Sequence, residues 1–135
     1  MPFNTTEFLR SASAFMSPHM AMSIAENLYI NGYISYPRTD NTVYPASLNV
    51  LEIVKAFLNS DFAKEAKIVL SQKEIVPSRG KKETTDHPPI YPTAVARRED
   101  LSANEWKIYE LVVRRFLATL AENAVWEIRS VELES

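Results

Sequence analysis

Tyr36 and Arg38 stand two residues apart in the run GYISYPRTDNT, a phenol and a permanent cation separated by one proline. Residues two apart on an extended chain share a face, and a following proline biases Tyr36 toward that extended conformation. A phenol held beside a guanidinium suits attack on a phosphodiester. The tyrosine oxygen can act as a covalent nucleophile, and the arginine can hold a nonbridging phosphate oxygen as charge builds on it. One such preorganised donor is typically worth about 3 kcal/mol of barrier. A phenol with the ordinary pKa of about 10 also needs its proton taken or its anion stabilised, and Arg38 could serve the second need. The same pair equally suits a packing or rim position, since the chain has six tyrosines and tyrosine is common at half-buried strand edges. Residue types alone leave both readings open.

The elements that must position this pair can be read outward from it. Asn4 as a cap, Glu7 three residues later and the Phe3/Phe8 pair predict a helix over Thr5–Phe15. Ser17 followed by Pro18 opens a second helix, with Met20, Ile24 and Leu28 as its apolar stripe and Gly32 at its end. So short a joint, followed by an extended run from Tyr33 to Tyr36, fits a helix-turn-helix with a strand behind it and equally a plain helical hairpin. TDNTVYP reads as turns. Leu48, Leu51, Val54 and Leu58 mark a third helix, and Phe62, Ala66 and Val69 a fourth capped at Ser60. Ser102 and Glu105 form a capping box, with Leu101 and Trp106 as its staple, for a last helix carrying Tyr109, Val112, Val113, Phe116 and Leu120. VWEIRSVEL, residues 125–133, alternates like a half-buried strand.

Between about Ser71 and Asp100 the pattern is irregular, with four prolines and at most a short strand at Glu74–Val76; loops this long are usually functional or disordered. Residues 67–98 hold seven Lys or Arg (Lys67, Lys73, Arg79, Lys81, Lys82, Arg97, Arg98) against three acids (Glu74, Glu83, Asp86), although the whole chain carries −2. Such a run is read either as a solvated loop or as a phosphate-facing segment. With no cysteine and two histidines, disulfides and thiolate metal sites are excluded, and a metal held by this chain would rest on carboxylates. His19, at a helix start, is expected at the surface. Neither a membrane span nor a signal peptide is visible, so the expected location is cytoplasmic. The composition is that of one globular domain, 46% hydrophobic and 24% charged. The abrupt helix start and the final strand lacking a nearby partner suggest a piece of a longer chain.

GYISYPRTDNTVYP resembles the active-site segment of the type IA DNA topoisomerases, in which glycine, an apolar residue, Ser or Thr, the nucleophilic tyrosine, a variable residue, arginine and Ser or Thr follow in order. Here these are Gly32, Ile34, Ser35, Tyr36, Pro37, Arg38 and Thr39. PFNTTEFLRSAS, SPHMAMSIAENLYINGYISY and WKIYELVVRRFLA are similar to further stretches of that family, so the resemblance covers nearly the whole chain. The YPR segment most resembles the archaeal and topoisomerase III-like branch, with reverse gyrase among the related forms. TTDHPPIYPT is similar to the family's histidine motif, although Pro88 and Pro89 stand where relatives carry an acid or alanine. The resemblance implies that Tyr36 is the nucleophile, that Arg38 acts beside it, and that His87 touches a DNA phosphate. Thr85, Asp86 and Thr39 would assist at the phosphates, and Asp40 either supports the site or bonds a turn.

The implied fold is mainly α with short strands, a helix-turn-helix or winged-helix-like core in the central domain of a larger enzyme. Residues 1–122 would form the active-site tyrosine domain and 123–135 the first strand of a neighbouring β domain. The implied partners are single-stranded DNA, in association with the nucleoid, and the other domains of the same chain. The implied cofactor is Mg2+, required by the full-length enzyme and held outside this chain, so the isolated piece is expected to be inactive. Two other readings stand beside this one. A non-catalytic winged-helix DNA-binding module is disfavoured by a second helix lacking Arg, Lys and Gln. A structural or interaction domain would need neither DNA nor Tyr36. A hydrolase has little support, since no Ser-His-Asp or metal-ligand spacing is present.

Overall fold

The computed structural model describes residues 1–121. The chain is mainly helical, in the order α1 (Thr5–Ala12), α2 (Pro18–Ile30), α3 (Val50–Ala56), α4 (Ala63–Leu70) and α5 (Ala103–Leu120), with single 3-10 turns at Phe57–Asn59 and Arg98–Asp100. The expected strand at 125–133 and the domain boundary after residue 122 lie outside the described residues.

α5 is the centre of the molecule. Trp106, Ile108, Tyr109, Val112, Val113, Phe116, Leu117, Thr119 and Leu120 are all buried along it, a broad face opposite the exposed Asn104, Lys107, Arg114 and Ala118. α2 packs on α5, as do α1 and α4, and α3 packs on α4. The capping box expected at Ser102 and Glu105 is formed, as is the Asn4 cap of α1, whose Oδ1 accepts from the Glu7 N–H at 2.9 Å. Phe62 stacks on Trp106 with centroids 5.7 Å apart, tying α4 to α5.

Several expected details are corrected. α1 stops at Ala12 instead of Phe15, because Ser17 must be extended (φ −69°, ψ 155°) to cap α2 and the chain needs residues to turn. The buried face of α2 is Ala21, Met22, Ala25 and Leu28, whereas Met20 is exposed and Ile24 only partly covered. The third helix starts at Val50, with Val54 and Phe57 as its buried residues and Leu51 exposed. Ser60 accepts from the Phe62 N–H, one turn ahead of a helix that begins at Ala63. No strand forms at Glu74–Val76.

The run Tyr33–Tyr36 makes a single antiparallel bridge, Ile34 to Pro92, and Phe3 makes another to Ile90. The Ser35 N–H donates to Tyr91 O and the Thr93 N–H donates to Tyr33 O, both at 2.9 Å. Pro92 therefore sits at the position whose own N–H the ladder does not use, the one place where proline is tolerated. Among the described residues β structure goes no further, so the sheet that a wing would require is not formed by them.

The long segment 71–100 is irregular as expected but is pinned throughout. The Ser78 N–H donates to Thr119 O, Thr42 holds Gly80 and Lys82, Asn41 holds Thr84 and His87, and Ser35 holds Pro89 and Tyr91. The Tyr109 hydroxyl donates to Ala94 O at 2.6 Å and accepts from the Ala96 N–H at 2.9 Å. A β-carbon on Gly80 would lie 2.3 Å from Thr42 Oγ1, so this close approach depends on glycine.

Candidate active site

The end of α2 sets the direction of the tyrosine segment. The Gly32 N–H donates to Tyr29 O and the Tyr33 N–H reaches back to Leu28 O, the paired bonds of a Schellman stop. They need a left-handed residue, and Gly32 has φ +85°. From there the chain runs extended along Tyr91–Thr93 and passes the start of α1. Thr5 clamps it at that crossing: its hydroxyl donates to Pro37 O at 2.7 Å and accepts from the Thr39 N–H at 2.8 Å, and its own N–H donates to Thr39 O at 2.9 Å. A helix N-terminus thus fixes the backbone on both sides of Arg38.

Tyr36 is half-buried against two rings. Tyr29 of α2 meets it edge-on with centroids 5.1 Å apart, and the His87 imidazole lies tilted against it at 4.8 Å. Tyrosine and histidine, 51 positions apart in sequence, are therefore brought together. Arg38 projects into solvent, and its Nε donates to Glu26 at 2.8 Å. That carboxylate raises the guanidinium pKa further, with a smaller contribution from Tyr36.

The histidine loop owes its position to two buried polar residues. Asn41 donates from Nδ2 to Thr84 O at 3.0 Å and to His87 O at 3.1 Å, while its Oδ1 accepts from the Val43 N–H at 2.9 Å. The Thr39 hydroxyl donates to His87 O at 3.3 Å and accepts from the Asn41 N–H at 3.1 Å. Thr39, only 7% exposed, is thus engaged inside the protein. Asp86 and Thr85 are exposed beside His87. The Asp86 carboxyl is held below its ordinary range by the Thr84 hydroxyl and then by nearby backbone N–H groups, those of His87 and Asp86 itself. Asp40 faces solvent and pairs with Lys82 at 3.6 Å, both side chains more than half exposed. His19 is exposed at the start of α2.

Thr5, Glu26, Tyr29 and Asn41 are the residues around the site that motif reading passed over. Only Asn41 lay within a segment already marked as turns, and nothing local distinguished it from a residue bonding its own backbone. Among the described residues no group of three or more His, Asp or Glu could hold a metal ion. The described residues do not fit a Mg2+ site. No helix among the described residues is long and apolar enough to cross a membrane.

A family model described as DNA topoisomerase matches residues 1–135. The chain is 72% identical over 134 residues to DNA topoisomerase 1 of Archaeoglobus fulgidus, covering 99% of this chain and 20% of that protein. It is 48% identical to DNA topoisomerase 1 of Thermoplasma acidophilum, covering 98% of this chain and 17% of the relative. To DNA topoisomerase 3-beta of Drosophila melanogaster it is 36% identical, with 96% and 15% covered. The chain therefore spans about a fifth or less of the length of these relatives. With the tyrosine, arginine and histidine segments in one place and both archaeal topoisomerase 1 and topoisomerase 3-beta among its relatives, the chain belongs to the type IA DNA topoisomerase family.

Proposed function

We propose that residues 1–122 form the active-site tyrosine domain of a full-length enzyme that breaks and rejoins one DNA strand, and that Tyr36 is its nucleophile. The observation that supports this most strongly is the approach of the His87 ring to Tyr36 at 4.8 Å, with Arg38 two residues along a segment whose backbone Thr5 clamps and with the His87 carbonyl held by Asn41. Tyr36 Oη attacks the phosphorus of a single-stranded segment. The new O–P bond joins the 5′ phosphate to tyrosine, the bond to the 3′ oxygen breaks, and that oxygen leaves as a hydroxyl after taking up a proton. The ester conserves the energy of the broken bond, so the 3′ hydroxyl can displace tyrosine and reseal the strand without ATP. Passage of another strand between the two steps relaxes negative supercoils.

Arg38 and His87 hold the nonbridging oxygens as charge develops. Thr85 and Asp86 flank His87 at the phosphate path, and Thr39 supports that path from within. Asp40, with Lys82, shapes the exit of the segment. The carboxylates for Mg2+ and the remaining acid-base groups belong to other domains of the full-length chain. The protein acts on DNA at the nucleoid, in the cytoplasm. The test is relaxation of negatively supercoiled plasmid by the full-length enzyme and its Tyr36→Phe variant. Relaxation by the parent alone is expected; undiminished relaxation by the variant would refute the assignment of Tyr36.

A further inference from the structure

Glu26 and Tyr29 lie three residues apart on α2 and so share one face of that helix, while Arg38 and Tyr36 lie two apart on an extended segment and share a face of it. The two pairs meet side chain to side chain: Glu26 bonds Arg38 Nε at 2.8 Å, and Tyr29 packs on the Tyr36 ring at 5.1 Å. α2 is itself seated on the central helix α5 and is stopped at Gly32 immediately before the tyrosine segment. A rigid helix face therefore opposes the two groups that must act in concert.

The mode of the Glu26 bond matters. A guanidinium has five N–H donors in a fixed plane. Glu26 takes Nε, at the stem side of that plane, and among the described residues no protein group accepts from either Nη nitrogen of Arg38. The bond holds the guanidinium plane by its stem side and leaves the two Nη groups, the edge that pairs with a phosphate, without a bond to α2. The two side chains are 55% and 40% exposed, so the pair contributes little to folding. Its consequence lies in where the guanidinium points.

We infer that Glu26 is a positioning residue of the cleavage reaction, holding Arg38 by Nε so that its two Nη groups meet the phosphate attacked by Tyr36. This rests on the reading of Tyr36 as the nucleophile. Glu26 touches no DNA; it acts through Arg38, and Tyr29 braces the phenol beside it.

The test is single-turnover cleavage of 3′-end-labelled single-stranded DNA by the full-length enzyme with Mg2+, over a range of DNA concentrations, for the parent, E26A, E26Q, R38A and E26A/R38A. E26A is expected to lower the maximal rate on the order of five-fold, the upper end for an exposed ion pair, with a smaller change in the half-saturating DNA concentration. E26Q, which still offers an oxygen to Nε, is expected to recover most of the rate. In the R38A background, E26A is expected to add nothing. An equal loss from E26A with and without Arg38 would show a merely structural role and overturn the inference, as would an unchanged rate in E26A. A parent that forms no tyrosine-linked product would instead defeat the nucleophile reading, and the inference with it.

Discussion

Each side chain at the site does its work through partners distant in sequence, and Asn41 shows this most plainly. It is 3% exposed and serves two carbonyls 43 and 46 positions downstream as well as the nearby Val43 N–H. Asn41→Ala would leave the buried Val43 N–H and the Thr84 carbonyl without their partner, while His87 O keeps only the Thr39 hydroxyl, at a cost of roughly 2–3 kcal/mol. Urea unfolding is expected to report that loss, accompanied by faster hydrogen exchange at the Val43 amide. Wild-type stability in the variant would contradict the structure. The motif resemblance singles out Tyr36, Arg38 and His87 because each lies in a short signature. It could not find Asn41, Glu26 or Thr5, whose roles depend on which distant backbone or side chain arrives beside them.

At the scale of elements, caps and apolar periodicity carried most of the information. The Asn4, Ser17 and Ser102 caps and the staple residues located α1, α2 and α5 because a helix end must satisfy its own free N–H groups nearby. The helix limits and the buried face of α2 were less legible, since they depend on how closely the small residues Ala21 and Ala25 let α2 pack into the core. The strand expected after α2 is a single bridge, Ile34 to Pro92, because pairing depends on which distant segment arrives beside it. Gly32 joins helix to site. A β-carbon there would meet nothing within 4 Å, yet φ is +85°. Gly32→Ala is therefore expected to destabilise through backbone strain alone, by about 1 kcal/mol. A melting temperature equal to that of the parent would show that the turn tolerates a side chain.

The whole molecule is a helical body around α5 over which a long irregular segment is tied down, and two tyrosines make the ties sensitive to alkali. Tyr109 is fully buried, and burial pushes its phenol from the ordinary 10.0 up to about 12. Burial likewise raises Tyr44, whose hydroxyl bonds Thr119. A raised phenol pKa means that the folded chain keeps a proton the unfolded chain has lost. The stability linked to Tyr109 is complete below pH 10, declines as pH rises through that interval, and is gone above about 12. Tyr109→Phe should lower stability at neutral pH, because the Ala96 N–H and Ala94 carbonyl lose their partner. It should also flatten the fall between pH 10 and about 12. Urea midpoints on both sides of pH 10 decide this, and an unchanged slope in the variant would contradict it.

The polarity of the covalent bond tests the central claim most directly. The full-length enzyme and its Tyr36→Phe variant would each be mixed with single-stranded DNA labelled at its 3′ end, given Mg2+, and denatured rapidly. If Tyr36 takes the 5′ phosphate, the fragment downstream of the break stays on the protein. The label should then migrate with the parent enzyme and be absent from the variant. Label on neither protein, in preparations that still bind DNA, would contradict the covalent mechanism, and label on both would place the nucleophile elsewhere in the chain.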